Sequence, residues 1–277
     1  MTDHASVSGH YTHGGLLGAI ENGLAKLGKS ASAVSIDDLA PVDEFHIGGR
    51  QASQEFLDQL GLDPEDHALD IGCGLGGPAR FTASRYGCRV SGIDLTAEYV
   101  ETGSALCTWV GLDERIDLQH GNALATPYAD SGFDCAYMMH VGMNIPDKAA
   151  LFREVHRVLK PGGRFGVYDI MRIGEDDLDF PVPWATTGDT SALATPEEYC
   201  GWLDSAGFEI AAERNRRQFA LEFFEQLKAR SAGSAGPPPL GLHVLMGDTA
   251  PVKIGNMIAN IAAGRIAPVE LIATKRR

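Results

Sequence analysis

Apolar and polar positions along this chain fall into blocks, and the period of the blocks changes. Leu16, Leu17, Ile20, Leu24 and Leu27 recur at helical spacing and stop at Gly28, which predicts a helix over 16–27. Residues 30–50 show no period, and Pro41 and the pair Gly48-Gly49 read as breakers of an irregular segment. Gln54 to Leu60 has helical character again. From His67 the rhythm is regular. Short apolar runs at 67–71, 88–93, 115–119, 133–139 and 164–170 predict strands, with helices at 78–86, 97–110 and 147–159 between them. Leu151, Val155 and Val158 share one face of the last of these helices, and Pro161-Gly162-Gly163 stops it. Thr195-Pro196-Glu197-Glu198 is a capping box that opens a further helix. Strands at 207–214 and 269–274 close the series. Such alternation predicts an α/β chain with a parallel, doubly wound sheet.

Three stretches interrupt the rhythm: the first 55 residues, the acidic and Pro/Trp-rich loop 171–192, and a helical stretch before the last strand, with helices expected at 218–230 and 250–263. The expected organisation is an arm or lid over 1–55, a nucleotide-binding core over 56–216 that contains the 171–192 loop, a helical cap over 217–266, and a final core strand over 267–277. In open α/β sheets a ligand sits beyond the carboxyl ends of the strands. Additions after strands five and six start at that rim, so they are natural lids.

Composition narrows the classes. The 277 residues, 44% apolar and 22% charged, suit one large domain with insertions and a core that needs no metal or disulfide staple. A net charge of −14 argues against a broad nucleic-acid face, although a few local arginines would suffice for a small anion. Cys73, Cys88, Cys107, Cys135 and Cys200 are dispersed with no C-x-x-C pair, which fits free thiols in a reducing compartment. The His residues lack a paired ligand spacing, so no metal is expected. The start of the chain has no basic and apolar leader, and no run of about 18 apolar residues occurs, so a cytoplasmic chain without a membrane span is expected. A homodimer is compatible with this composition.

The chemistry concentrates at residues 68–77, Ala-Leu-Asp-Ile-Gly-Cys-Gly-Leu-Gly-Gly. A strand runs into a glycine-dense turn and a helix follows, the βα start of a nucleotide-binding unit. Glycine spacing alone is ambiguous: Gly72, Gly74 and Gly76 fit G-x-G-x-G, while Gly72, Gly74 and Gly77 fit the dinucleotide pattern. Asp70 helps to choose. A carboxylate at the strand end repels a pyrophosphate and attracts an ammonium, as found in S-adenosylmethionine (SAM).

With Asp94 closing strand two, Gly121-Asn122-Ala123 after strand three, and Leu159-Lys160-Pro161-Gly162-Gly163 before strand five, the order and spacing across about 65–215 resemble class I SAM-dependent methyltransferases. More loosely, the arm and inserts resemble the small-molecule N-methyltransferases acting on sarcosine, dimethylglycine and similar amines. The resemblance implies a Rossmann-like fold: a doubly wound, seven-stranded, mostly parallel sheet whose last strand is antiparallel, with a helical arm and lid. It also implies SAM as cofactor and S-adenosylhomocysteine as product. Asp70 would position the methionine amino group, or else cap the turn. Gly72, Cys73, Gly74 and Gly76 would let the backbone approach the cofactor. Asp94 would accept the ribose hydroxyls, or else cap the next helix, with Leu95 beside the adenine. The family often has an acid where Asn122 stands; an amide oxygen still accepts the adenine amino group, with Ala123 alongside. Met139 at the end of strand four would pack against the cofactor.

His140, beside it, is the titratable group at the reaction edge, either a base or an orienting and packing residue. Tyr11, His46 and Arg50 of the arm, Asn144, and Arg172 and Trp184 after strand five are the further substrate candidates. His46 or Arg50 would meet a carboxylate, and Trp184 would offer a cation–π face. Phe219, Phe223 and Phe224 read as insert packing first and pocket wall second. The expected reaction is in-line methyl transfer to a small molecule, an amine in preference to an oxygen or carbon. A nicotinamide-dependent oxidoreductase and a non-catalytic SAM-binding protein are the rival readings.

Overall fold

The computed structural model describes residues 14–231, 236 and 238–277. Its sheet has seven strands in the order β3-β2-β1-β4-β5-β7-β6. They are β1 (His67–Ile71), β2 (Arg89–Asp94), β3 (Ile116–His120), β4 (Phe133–Met139), β5 (Leu159–Arg172), β6 (Phe208–Asn215) and β7 (Ile266–Lys275). The neighbours among β1 to β5 pair in parallel, while β7 runs antiparallel to both β5 and β6. This is the doubly wound Rossmann-like methyltransferase fold, with its order reversing at β1 and β4. Tandem apolar residues fit this: β4 is buried along nearly its whole length and β5 from Phe165 to Met171, as strands covered on both faces must be.

The arm departs from expectation. Residues 30–50 are not irregular: they hold α2 (Ile36–Asp43) after α1 (Leu16–Lys26), and α3 (Gly49–Leu57) begins well before Gln54. Ser35 and Asp38 form a capping box that satisfies the first turn of α2, and Pro41 is accommodated inside this two-turn helix. Gly48 does not break a helix. It is the N-cap of α3, in the left-handed region at φ 93°. Further along, Pro161-Gly162-Gly163 lies within β5, where the register jumps from Phe133–Leu159 to Cys135–Arg164 and the extra residues bulge out.

The remaining helices are α4 (Gly77–Tyr86), α5 (Ala97–Trp109), α6 (Lys148–Val158), α7 (Pro196–Ser205), α8 (Arg217–Ser231), the single turn α9 (His243–Met246) and α10 (Ala250–Ala262). None of the described helices is long and apolar enough to cross a membrane. Arm and insert meet over the sheet's carboxyl rim: Leu16, Ile20, Leu24, Leu39 and Val42 share an apolar cluster with Leu75, Tyr99, Leu240 and Leu245. Glu98 of α5 accepts from the amides of Gly14 and Leu16 at 3.0 and 3.1 Å, which fixes the start of α1.

Candidate active site

The glycine turn after β1 adopts backbone angles that only glycine tolerates in this packing. Gly72 has φ 68°, and a Cβ there would lie 2.5 Å from a Val141 methyl. A Cβ on Gly77 would lie 2.3 Å from the Asp43 carbonyl oxygen, so the arm sits directly on the start of α4. The amides of Gly72 and Cys73 donate to the Ile93 carbonyl, at 2.8 and 3.1 Å. Asp94 completes the turn. Its Oδ2 accepts from the Gly74 amide and its Oδ1 from the Thr96 amide, both at 2.8 Å. Burial pushes the Asp94 carboxyl up, and these two N–H groups pull it back down. Asp94 thus closes a turn ahead of α5, whose N-cap is Thr96 without a side-chain cap bond, and each oxygen still has a lone pair for a second donor.

Above the turn lies a cavity of about 1150 Å³. Ligand pockets usually span about 300–1,000 Å³, so this one has room for a nucleoside and a second molecule. One end is lined by Gly72, Cys73, Gly74, Asp94, Leu95 and Thr96, then Asn122, Ala123 and Leu124. Asn122 Oδ1 accepts from the Leu124 amide at 2.9 Å, which closes an Asx turn and presents the side chain at the wall. The other end is lined by Met139, His140, Met143 and Asn144 from the rim of β4, His46 and Ile47 from the arm, and Pro183 and Trp184 from the loop after β5. Phe223, Phe224, Leu240, Leu245, Met246 and Met257 of the insert close it.

Several expected residues lie elsewhere. Asp70 is buried behind the turn and is not part of the cavity wall. Its strand neighbour is Tyr137. Burial, and then Asp94, hold its carboxyl well above the usual range. Gly76 caps α4 at φ 74° and also lies off the wall. Arg50 turns inward: it donates to the Ile36 carbonyl at 3.3 Å, reaches Glu44 at 3.1 Å and covers the Phe81 ring. Arg172 donates to the carbonyls of Gly174 and Asp176 at 3.2 and 3.0 Å, beside a separate small cleft. The expectation that these two arginines reach the substrate space is corrected. Both are consumed by nearby acceptors, which a guanidinium with five donors readily finds. Trp184 does reach the cavity, and its Nε1 donates to Ser191 Oγ at 3.0 Å. Tyr11 lies outside the described residues.

The arm supplies a buried ionic cluster at the wall. Asp43 pairs with Arg80 at 2.5 Å, with both side chains wholly buried. Glu44 Oε2 accepts from Ser53 at 2.5 Å and lies 3.4 Å from His46 Nε2. Burial raises both carboxyls, while Arg80 and Arg50 respectively pull them back. Burial also drives His46 down to about 4 and His140 well below the ordinary imidazole range, the latter helped by His46. Asp43 and Glu44 were not singled out from the sequence. The available signal was a pair of adjacent acids in an otherwise apolar, glycine-bearing stretch. The apolar wall of the insert had only the helical recurrence of Phe219, Phe223 and Phe224, which looks the same for packing and for a pocket.

Comparison with known proteins says what this fold and cavity resemble. Residues 69–167 of the 277 match the family described as Methyltransferase domain. Methyltransferase GfsG of Streptomyces halstedii is 28% identical over 176 residues, covering 62% of this chain and 63% of that protein. Phosphoethanolamine N-methyltransferase 3 of Arabidopsis thaliana is 33% identical over 184 residues, covering 66% of this chain and 37% of that protein. The chain thus spans less than two thirds of the length of these relatives. Among solved structures, a proposed sarcosine dimethylglycine methyltransferase from Galdieria sulphuraria superposes with a TM-score of 0.66 at 20% identity, covering 82% of this chain and 85% of that one. At that identity the likeness speaks for the fold.

Proposed function

We propose that this chain binds SAM along the carboxyl ends of β1 to β4 and transfers its methyl group to a bulky, apolar small molecule without an anionic group. The observation that carries the acceptor class is the cavity wall, which holds no Lys or Arg among the described residues. Residues 1–13, 232–235 and 237 contain none in their sequence either. A carboxylate or phosphate moved out of water needs a cation or several donors in compensation. An amino-acid acceptor, expected from the looser resemblance, would find no cation here. Nor would a phosphorylated amine like the one in the name of the Arabidopsis relative. The tail of SAM keeps its ammonium and is neutral overall, whereas an amino acid must lose its ammonium proton before it attacks and is then a net anion.

In this reading Asp94 accepts the ribose hydroxyls with its remaining lone pairs. Leu95 and Ala123 flank the adenine, and Asn122 Oδ1 accepts its amino group beside the Leu124 amide. Asp43 and Glu44 at the wall face the ammonium, with Asp70 supporting the turn from behind. SAM supplies an electrophilic methyl on sulfur. The protein's part is to hold the acceptor in line and to exclude water, work to which the Leu, Met, Phe and Trp side chains of the insert and loop are suited. Calorimetry with SAM, followed by mass detection of methylated products from a neutral apolar set and from an amino-acid and phosphorylated-amine set, tests both parts. The expected result is binding, with products from the neutral set. Absence of SAM binding sinks the first part, and products confined to the anionic set sink the second.

A further inference from the structure

Two imidazoles stand at the acceptor end of the cavity, and their hydrogen bonds give them opposite tautomers. His46 Nε2 lies 3.2 Å from the Gly49 carbonyl oxygen. A carbonyl only accepts, so Nε2 carries the hydrogen and Nδ1 is a bare lone pair. Behind the same Nε2 stands Glu44, itself fixed by the Ser53 hydroxyl. His140 is the reverse case. Its Nε2 accepts from the Ile47 amide at 3.4 Å, so its Nδ1 carries the hydrogen. That N–H is buried and makes no well-formed hydrogen bond among the described residues, with the backbone of Tyr168 as a weak partner of the ring. The ring centroids are 6.0 Å apart, and both residues line the cavity. Ile47, between them, is clamped from its other side by the Tyr168 hydroxyl, which donates to its carbonyl at 2.9 Å.

A ligand group shared by this pair must donate to His46 and accept from His140. A hydroxyl does both and keeps a second lone pair. A neutral amine has one lone pair, and accepting from His140 would leave none to attack with. Resting on the methyl-transfer reading above, we propose that the methyl acceptor is a hydroxyl oxygen, held by His140 Nδ1–H and relieved of its proton by His46 Nδ1 with Glu44 behind it. The oxygen gains the methyl carbon as the carbon–sulfur bond breaks and its electron pair stays on sulfur. The O–H proton ends on His46 Nδ1, and the resulting imidazolium turns its Nε2–H toward the Glu44 carboxylate. A buried imidazole lowered to about 4 is a feeble base toward a resting alcohol. It suffices for an oxygen that is already bonding to carbon, because that oxygen acquires the acidity of an oxonium. The ammonium formed from an alkyl amine, by contrast, titrates at about 10, like a lysine, and would keep its proton.

The test has two arms. In ¹⁵N-labelled protein saturated with S-adenosylhomocysteine, NMR reads the tautomers directly; His46 is expected as Nε2–H and His140 as Nδ1–H at neutral pH. In the second arm, matched pairs of terpenoid and aryl alcohols and amines on the same skeletons are offered with SAM and products are weighed. Methylation of the hydroxyl members is expected. His46→Gln should lower kcat by about 100-fold or more while its Kd for SAM stays within about twofold, and Glu44→Gln should lower kcat by about 10-fold. A reversed tautomer at either ring, methylation of the amines alone, or near-wild-type kcat in His46→Gln overturns the proposal. A protein that fails to bind SAM instead removes the methyl-transfer reading, and the tautomers still judge the two histidines.

Discussion

Along the strand ends, the cavity is walled by a glycine turn and by polar side chains already bonded to that turn, as Asp94 is to the amides of Gly74 and Thr96. Across from it, the wall is made of arm and insert: Leu39 and Val42 pack with Leu240 and Leu245, and Ile47 with Trp184, Ala220 and Met257. The first wall is built from short-range geometry and holds its shape through backbone hydrogen bonds. The second is built from segments remote in sequence and holds together through apolar burial around a buried ionic cluster. A scaffold of this kind can keep one ligand constant and vary the other, because changing the second wall leaves the first untouched.

The largest expected break in that division comes at the junction of the walls. Asp43→Ala strands the wholly buried Arg80 guanidinium and should cost about 3–5 kcal/mol in denaturant unfolding. The double replacement Asp43→Leu with Arg80→Met should recover most of it. Equal loss in the single and double variants would show that the pair does not anchor the arm. Next in size, Asp94→Ala removes both turn contacts and the proposed ribose acceptor. By calorimetry it should weaken SAM by about 10- to 150-fold, corresponding to about 1.5–3 kcal/mol for charged hydrogen bonds.

Phe224→Ala probes the opposite wall. It should raise KM for an apolar acceptor by about 5- to 30-fold through about 1–2 kcal/mol of lost burial, with SAM affinity unchanged. If SAM affinity fell in parallel, the two walls would not be independent.

The smallest effect belongs to Asp70. Burial raises its folded-state pKa well above that of the unfolded chain. The folded protein therefore keeps a proton that the unfolded chain has lost, and stability falls as pH rises from the ordinary carboxylate range toward the raised value. Asp70→Asn should flatten that slope and raise the melting temperature by a few degrees, on the order of 1 kcal/mol, at pH 8 but not at pH 4. A loss of stability at pH 8 would show that the carboxylate is favourably bound in the folded state.

Much of the first wall was legible in the amino-acid sequence. Strand runs, the glycine turn and Asp94 are local signals, since a tight turn needs its glycines next to one another and a strand needs its apolar residues in one run. Asn122 was legible as a polar side chain on the loop after β3. Its Asx turn with Leu124 was not, because that depends on side-chain rotation. The arm's helices at Pro41 and Gly48 are hidden in the sequence because a breaker and a cap use the same residue types. Ser35 with Asp38 turned the first into a short helix, and a left-handed N-cap turned the second into a start.

By itself, the sequence determined that an α/β chain places a glycine turn and a carboxylate at the ends of adjacent strands, because the periodicity of strands and the backbone demands of the turn are local properties. Only the tertiary structure decided that Arg50 and Arg172 are held by acceptors away from the cavity, that Asp70 lies behind the turn, and that His46 and His140 line one space. Each of those outcomes depends on which donor or acceptor a folded neighbour brings within about 3 Å. Ile47 and His140 are far apart in the chain, and only packing of the arm onto the sheet's rim brings the amide of one to the ring nitrogen of the other.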